Sequence, residues 1–470
     1  MDGAGNLGQL SKKRPHVLCI PHATQGHIFS AVLLSKQLVR HGIRVTVFSH
    51  QREIDRLLGD GDSELKTMEL LQFVGVPRPD VVTRSPREAS TLLEKEFKAA
   101  NMVDRLSGSE GPTCILADFF IHWSGDVAQQ LQIPRYTFIP SGAVLTRLFQ
   151  AVEDLFNEGT LRVNAGDSTV EMFDGQISIP GLPPLQYLHL PGSCRNNPIE
   201  FKATAKNTVA ASGLLINTFY ELETSVIDTL RNMSPITGQK IYTVGPIFRA
   251  LNLVAVEGHE DSKAECIRWL DTQPDSSVLY ICFGTMFQLD PVQIREVAIG
   301  LERSKHRFLW VLPNSKQATL DLVAGSDMLP PGFEARVAER GYILKGWAPQ
   351  VQILAHPSTG GFLTHCGWNS ILEAASMGVS LLAWPLSADQ YMNCRYLVDD
   401  LKVASEVQRA PFAIAQQEEV ERAVRHFMEV ERLATRSKMD FLKLKAATAL
   451  ADGGSSTLAL QQFVQDVKSM

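Results

Sequence analysis

Residues 347–390 read WAPQVQILAHPSTGGFLTHCGWNSILEAASMGVSLLAWPLSADQ. Apolar runs typical of buried strands are interrupted in this segment by polar side chains, namely Gln350, His365, Asn369, Ser370, Glu373, Asp389 and Gln390. A polar group buried without a partner costs free energy, so packing alone explains this pattern poorly. We therefore expect these side chains to face a ligand.

The segment belongs to an alternation of strands and helices that begins near residue 277. Asp290 and Pro291 are a favourable N-cap and first position for a helix over residues 292–303. Apolar runs predict strands at residues 278–283, 308–312, 342–344, 361–364 and 380–384. Such an alternation is typical of a parallel sheet with helices packed on it.

The first part of the chain has the same pattern. A strand over residues 16–20, a loop over 21–27, a helix over 30–41 and a strand over 44–49 form a βαβ unit, with Gly42 as the helix cap. A second unit covers residues 114–118, 123–131 and 136–139. The sequence therefore predicts an α/β protein with two parallel sheets.

The two stretches of alternating strands and helices predict two domains. We place an N-terminal domain at residues 1–250, a linker at 251–265 and a C-terminal domain at 266–452. The linker is polar and lacks periodicity. The break Gly453-Gly454-Ser455-Ser456 separates a last amphipathic helix within residues 453–470.

Composition describes an ordinary globular protein. The chain has 470 residues, of which 44% are hydrophobic and 20% charged, and its net charge is −6. This charge gives no reason to expect nucleic acid or an anionic membrane as a partner, so attraction for a phosphorylated ligand must be local. We expect no membrane span, because no apolar run approaches 18 residues.

The seven cysteines are odd in number and dispersed. They lack metal-ligand spacing, and we expect free thiols in a reducing compartment. The apolar run 17–20 stops at Pro21, too soon for a signal peptide. A cytoplasmic location follows as an expectation.

Two short motif matches lack the context that their function requires. Residues 3–8 fit the dinucleotide pattern G-x-G-x-x-G, yet neither a strand nor a clear helix flanks them, and a disordered tail is the favoured interpretation. Asp60-Gly61-Asp62 matches the Asp-x-Asp of metal-dependent glycosyltransferases but does not end an apolar strand. We expect a solvated loop there, and no metal.

Residues 347–390 resemble, nearly letter for letter, the donor-binding signature of the plant family 1 glycosyltransferases, which use UDP-sugars. The resemblance implies the GT-B fold, in which two Rossmann-like domains face each other. It also implies that the C-terminal helix crosses back onto the first domain.

The residue types of the signature suit the parts of a UDP-sugar. Trp347 offers a flat face for the uracil, with a core tryptophan as the alternative. Helix-start amides near Gly367 suit the diphosphate. His356 is interpreted as structural, holding the loop. The expected UDP-sugar-binding residues are Thr285, Trp347, Ala348, Gln350, His365, Gly367, Trp368, Asn369, Ser370, Glu373, Asp389 and Gln390.

The loop over residues 21–27 reads PHATQGH. It resembles the family's Pro-x-Pro-x-Gln-Gly-His motif, whose histidine is the catalytic base, and this implies that role for His27. His22 is a rival in the same loop. Ala23 and Ser30 stand where prolines are common in the family, a departure that affects rigidity and leaves the chemistry in place.

The resemblance implies a second catalytic residue, Asp118, at the end of a predicted strand. A carboxylate beside an imidazole fixes its tautomer and stabilises the imidazolium. The alternative role for Asp118 is a helix N-cap. Further candidates for sugar or acceptor contact are Ser141, Phe119, Phe120 and Phe138, although the aromatic residues could equally belong to the core.

Together these residues imply an inverting transferase that moves glucose from UDP-glucose to a small hydrophobic acceptor such as a flavonoid or other phenolic. We expect no cofactor and a monomer. The alternatives are a UDP-sugar-binding protein without turnover, the same enzyme with another UDP-sugar, and a dinucleotide-dependent oxidoreductase. The last lacks a properly placed glycine fingerprint.

Overall fold

Two parallel sheets organise the chain in this computed structural model. It describes residues 14–59, 63–77, 86–108, 110–164, 166, 169–249, 260–284, 289–312, 328–407 and 413–470. The strands are β1 His16–Ile20, β2 Arg44–His50, β3 Leu71–Val76, β4 Cys114–Asp118, β5 Arg135–Ile139, β6 Gln176–Ile177, β7 Leu185–Gln186, β8 Gly213–Ile216, β9 Lys240–Thr243, β10 Val278–Cys282, β11 Arg307–Leu312, β12 Gly341–Lys345, β13 Thr359–Thr364, β14 Leu381–Ala383 and β15 Ala404–Glu406.

Helices connect these strands. They are α1 Gln25–Arg40, α2 Gln51–Gly59, α3 Ser63–Thr67, α4 Pro86–Ala99, α5 Met102–Leu106, α6 Ser124–Leu131, α7 Ala143–Asn157, α8 Gly192–Asn196, α9 Pro198–Val209, α10 Thr224–Thr237, α11 Glu260–Asp271, α12 Pro291–Ser304, α13 Phe333–Val337, α14 Gln350–Ala355, α15 Trp368–Met377, α16 Gln390–Arg395, α17 Gln417–His426, α18 Arg432–Leu450 and α19 Ser455–Ser469. Shorter helical turns cover Tyr187–His189, Tyr396–Asp400 and Phe427–Glu431.

The first sheet has the strand order β3-β2-β1-β4-β5-β8-β9. Its strands pair in parallel, with Val17 of β1 opposite Val45 on one side and Cys114 on the other. Both β1 and β4 are buried along their whole length because helices cover both faces. The carboxyl ends of β1 and β4 therefore lie side by side at one edge of the sheet.

The second sheet has the order β12-β11-β10-β13-β14-β15, again with parallel pairing. The predicted cap of its first helix is confirmed, since the Asp290 carboxylate accepts the Val292 N–H at 2.7 Å and Pro291 opens α12. The predicted α/β fold with two Rossmann-like parallel sheets is thereby confirmed.

The last helix returns to the first sheet, as the resemblance implied. On α19, Asp466 pairs with Lys240 of β9 at 2.9 Å and also accepts from the Tyr242 hydroxyl. The Phe463 ring of the same helix packs 5.0 Å from the Tyr136 ring. A salt bridge and aromatic packing thus attach the end of the chain to the N-terminal domain.

Two boundaries differ from the sequence prediction. Helix α1 begins at Gln25, so Gln25, Gly26 and His27 form its first turn instead of a loop. Helix α11 begins at Glu260, inside the segment predicted as linker, while residues 250–259 lie outside the described part of the chain. His27 is therefore held by a helix, with a fixed direction for its side chain.

The predicted free thiols are confirmed, because all seven cysteines are unbonded. Among the helices of the described ranges, none is both long and apolar enough to cross a bilayer.

Candidate active site

His27 and Asp118 meet at the carboxyl edge of the first sheet. Asp118 is the last residue of β4, and His27 lies in the first turn of the helix that follows β1. His27 Nδ1 lies 2.7 Å from Asp118 Oδ2. The carboxylate is fully buried, while 20% of the imidazole is exposed. Since a carboxylate accepts, Nδ1 carries the proton and Nε2 is the ring nitrogen that can take up another.

Asp118 is held at both oxygens. Its Oδ1 accepts the Phe120 N–H at 3.0 Å, while Oδ2 is bound by His27. The following helix α6 has Trp123 as its N-cap residue, so Asp118 does not cap it. The alternative N-cap role for Asp118 is therefore wrong, and its local contact instead fixes the carboxylate towards His27.

His22 has a different environment from His27. It is 2% exposed, and its Nδ1 lies 2.9 Å from Thr24 Oγ1 within the same loop. The rings of His22 and His27 are 5.6 Å apart, so both lie close to the same site. Burial of His22 favours His27 as the histidine that reaches a substrate.

Two aromatic rings flank the imidazole. The rings of Phe119 and Phe120 each lie 5.5 Å from His27, and Phe120 stacks on it with an interplanar angle of 26°. Phe120 is half-buried, whereas Phe119 is buried and packs against Phe149, so Phe120 is the ring of this pair that can meet an acceptor. Phe138, expected at the same place, is 1% exposed and belongs to the core of the first sheet, so its assignment as an acceptor contact is corrected to packing.

The start of α15 faces this dyad from the second sheet. Cys366 has a positive φ of 64°, and Gly367 follows as an N-cap without a side-chain hydrogen bond to the helix. Within the described residues, no side chain caps the first turn of this helix, so its amide N–H groups are candidates for binding a ligand. Together with the helix dipole they form a site suited to a phosphate group.

His365 is enclosed between two glycines next to that helix start. A Cβ atom at Gly284 or Gly367 would lie only 2.7 Å or 2.4 Å from its Nε2. Burial lowers the pKa of His365 to about 4, against the opposing effect of the Cys282 carbonyl. The imidazole is therefore neutral at pH 7, and the Cys282 carbonyl accepts from its single N–H.

Trp347 and Glu373 offer a second set of contacts. Trp347 is 49% exposed, which leaves an open aromatic face, and Ala348 is buried beside it. Burial raises the pKa of Glu373 to about 7, although the Gln350 amide favours its ionised form. An aromatic face with a carboxylate nearby suits a nucleoside, whose base stacks and whose ribose hydroxyls donate.

The Gln350 amide is already engaged inside the protein. Its Nε2 donates to Glu373 Oε2 at 2.5 Å and to Ser370 Oγ at 3.0 Å. Its Oε1 accepts from the Tyr280 hydroxyl at 3.1 Å. Gln350 thus orients Glu373 and Ser370, and its place among the expected UDP-sugar-binding residues stays a prediction.

Asp389 and Gln390 lie beyond the end of β14. The Ser141 hydroxyl donates to Asp389 Oδ2, which joins a predicted residue of each half of the site. Gln390 is buried, and its Oε1 accepts the N–H groups of Leu386 and Ser387, both at 2.9 Å. Gln390 therefore keeps its Nε2 for donation, and its oxygen holds the loop.

Trp368 and Asn369 contact the other domain with their side chains. Trp368 Nε1 donates to the Asn217 carbonyl at 2.7 Å, and Asn369 Nδ2 donates to the Gly26 carbonyl at 3.2 Å. The side chains of both residues therefore make contacts between the domains, and their place in the expected donor set stays a prediction that their first-turn backbone amides would carry. Sequence reasoning missed Asn217, although a polar residue directly after the apolar strand β8 was a usable signal.

Several expected features lie outside the described residues, namely Thr285 of the donor set and Asp60 and Asp62 of the rejected metal motif. Within the described ranges, no cluster of three or more His, Cys, Asp or Glu side chains could hold a metal ion. His356 contacts Ser358 at 2.8 Å and Asp271 at 3.1 Å, which confirms its structural role.

Comparison with known proteins gives consistent matches. The family model described as "UDP-glucoronosyl and UDP-glucosyl transferase" matches residues 247–433. UDP-glycosyltransferase 88B1 of Stevia rebaudiana is 33% identical over 461 residues, covering 94% of this chain and 96% of that protein. Baicalein 7-O-glucuronosyltransferase of Scutellaria baicalensis is 34% identical over 368 residues, covering 74% and 80%.

A solved structure resembles the whole chain. UGT71G1 of Medicago truncatula, crystallised in complex with UDP-glucose, superposes with a TM-score of 0.82 at 28% identity. The match covers 97% of this chain and 99% of that one. The similarity therefore spans both sheets and the helix that joins them at the end of the chain.

Proposed function

Because this chain belongs to the plant family 1 UDP-glycosyltransferases, we propose that it is an inverting glucosyltransferase. It moves glucose from UDP-glucose to a hydroxyl of a small hydrophobic acceptor such as a flavonoid or another phenolic. The observation that carries this proposal is the 2.7 Å contact between His27 and Asp118, beside the start of α15, where Asn369 donates to the Gly26 carbonyl.

His27 is the general base of the proposed reaction. Its Nδ1 is held by Asp118, so Nε2 takes the proton from the acceptor hydroxyl. The imidazolium that forms is stabilised by the buried Asp118 carboxylate beside it. An imidazole is a common general base in enzymes.

The acceptor oxygen attacks the anomeric carbon from the face opposite UDP. A new carbon–oxygen bond forms, the bond from that carbon to the β-phosphate oxygen breaks, and the hydroxyl proton stays on His27. The backbone amides in the first turn of α15 stabilise charge on the departing diphosphate. Displacement from the opposite face inverts the configuration.

An aromatic, largely apolar acceptor fits the surroundings of the base. The half-buried Phe120 ring stacks beside His27, and flat phenolic rings stack favourably on such a side chain. The relative from Scutellaria baicalensis carries baicalein in its name. This supports a phenolic acceptor for the present chain.

Glucose is the proposed sugar, and glucuronic acid is the alternative that a relative's name raises. Asp389 accepts from sugar hydroxyls, and Gln390 donates through its remaining Nε2. This pairing of an acceptor with a donor suits neighbouring hydroxyls on one sugar. We further propose a cytoplasmic monomer that needs no metal.

The test is direct. Purified protein is incubated with UDP-glucose and a panel of plant phenolics, and UDP release is followed together with the glucoside formed. We expect a β-glucoside, because UDP-glucose carries the α-anomer and displacement inverts it. Binding of UDP-glucose without UDP release would support the sugar-binding alternative, and oxidation of a substrate with NAD would support the oxidoreductase.

A further inference from the structure

Asn217 joins the two halves of the site. It follows β8 directly and is 2% exposed. Its backbone N–H donates to the Ile139 carbonyl at 2.9 Å, and its backbone carbonyl accepts from Trp368 Nε1 at 2.7 Å. Its Oδ1 accepts the Ile247 N–H at 3.1 Å, and its Nδ2 donates to Asn369 Oδ1 at 3.1 Å. Both its backbone and its side chain are therefore committed.

These contacts fix the orientation of two amides in series. The Ile247 N–H can only donate, so the atom of Asn217 facing it is the oxygen, and Nδ2 points to Asn369. The oxygen of Asn369 then faces Asn217, and its Nδ2 donates to the Gly26 carbonyl at 3.2 Å. One orientation of each amide satisfies all three bonds.

The series ends at the catalytic dyad. Gly26 is the residue before His27, and Ser30 Oγ, which lies 2.8 Å from the same Gly26 carbonyl, is also within 3.4 Å of Asn369 Oδ1. Asn369 is itself in the first turn of α15, whose amides form the candidate phosphate site. The base and the leaving-group site are thus linked through a single side chain that Asn217 orients.

We propose that Asn217 is a positioning residue for the transfer reaction, an inference that rests on the proposed function. Through Asn369 it sets the placement of the His27 turn relative to the start of α15. The acceptor oxygen, the anomeric carbon and the departing phosphate must be aligned for displacement, and a shift of about 1 Å between the halves lowers turnover roughly a hundredfold.

Kinetics of two variants test this role. Asn217→Ala removes the donor to Asn369, and we expect turnover to fall at least about tenfold while the KM for UDP-glucose changes less than about threefold. In Asn217→Asp, one carboxyl oxygen can still accept the Ile247 N–H. The other oxygen can donate to Asn369 Oδ1 only when the carboxyl is protonated. Its activity relative to the wild type should therefore rise as the pH is lowered.

Gln239 provides a matched control. It is also a buried amide, and its Nε2 donates to three backbone carbonyls of the N-terminal domain, those of Thr208, Val209 and Ala211. Gln239→Ala should lower the melting temperature and leave turnover within about twofold of the wild type, because it does not act through Asn369.

A double-mutant cycle with Asn369→Ala decides the question. In the Asn369→Ala variant, the additional substitution of Asn217 should lower turnover by less than about twofold, because the side chain that Asn217 orients is no longer present. If Asn217→Ala does not fold, the cycle uses Asn217→Asp. If the wild type is active and the losses caused by the two single substitutions multiply in the double variant, the positioning role of Asn217 is overturned, and the proposed function is not. A wild-type chain that releases no UDP with any acceptor would overturn the proposed function and this inference with it.

Discussion

Gln350 Nε2 lies 2.5 Å from Glu373 Oε2, and this amide steadies a carboxylate whose burial raises its pKa to about 7. Glu373 is therefore about half ionised near neutral pH in the free protein. Its proposed partners, the ribose hydroxyls, donate hydrogen bonds and so favour the ionised form. Binding of the donor and loss of the proton are thereby coupled.

This coupling predicts how affinity for UDP-glucose depends on pH. Because the pKa of Glu373 is raised in the free protein, this carboxyl is mostly protonated below about pH 7. It must lose that proton before the ribose hydroxyls bind. Affinity should increase about tenfold between pH 6 and pH 8. Calorimetry in buffers of different ionisation enthalpy should detect proton release near pH 7. UDP-glucose is the suitable probe, because its diphosphate does not titrate in this range.

Glu373→Gln is the control for that measurement. The amide cannot ionise, so the affinity of this variant should be weaker and independent of pH. If the affinity of the wild type for UDP-glucose does not change, or falls, between pH 6 and pH 8, the assignment of Glu373 to the ribose is wrong.

Donor choice is predicted from Asp389 and Gln390. Inverting the 4-hydroxyl, as in galactose, leaves a buried polar group without a partner, which costs about 1–3 kcal/mol. UDP-glucose should therefore be preferred over UDP-galactose by roughly one to two orders of magnitude in kcat/KM. Competition between labelled donors measures this ratio. Equal use of both sugars, or preference for UDP-glucuronate, would show that these residues do not select glucose.

Activity should survive an excess of EDTA. In the proposed reaction the first-turn amides of α15 stabilise the charge on the diphosphate, so a metal ion is not needed for that role. The check is the initial rate before and after chelation. If EDTA abolishes activity and Mn²⁺ restores it, Asp60 and Asp62 become candidate metal ligands.

Asp118→Asn should lower turnover by about a hundredfold or more while the fold persists. Asn Oδ1 can still accept the Phe120 N–H, but the amide nitrogen would then face His27 Nδ1 and favour the tautomer with its proton on Nε2. That tautomer cannot act as the base. Turnover and the melting temperature are measured together. A melting temperature that falls by many degrees would instead point to a structural role.

Much of the fold follows from local patterns in the sequence. The alternation of apolar strands with capped helices predicts two parallel sheets, and Asp118 at the end of β4 is visible as a carboxylate after an apolar run. The cap of α12 is equally local, since Asp290 binds an amide two residues away. These features depend on neighbours within a few residues.

Contacts between distant segments were not predictable in this way. The side chains of Trp368 and Asn369 read as donor contacts, yet both bind partners in the other domain, about 150 to 340 residues away. Phe138 read as a pocket residue because it lies near the carboxyl end of β5, yet its side chain packs in the core under the helices that cover the sheet. Each of these side chains has a partner that only the folded chain supplies.

The central claim is that His27 removes the proton from the acceptor hydroxyl. His27→Ala should leave affinity for UDP-glucose nearly unchanged, because most of the proposed donor-binding residues lie in the other domain. Turnover should fall by about 10²–10⁴-fold on acceptors with weakly acidic hydroxyls. His22→Ala, in the same loop, is the comparison that separates the two histidines.

The most direct measurement compares the turnover of wild type and His27→Ala across phenols of similar shape and decreasing hydroxyl pKa. A missing base matters less when the hydroxyl is already ionised, so the ratio of the two rates should shrink steadily towards the most acidic phenols. His27 is not the base if the rate of the wild type divided by that of His27→Ala stays near one for weakly acidic hydroxyls, or stays constant along the series.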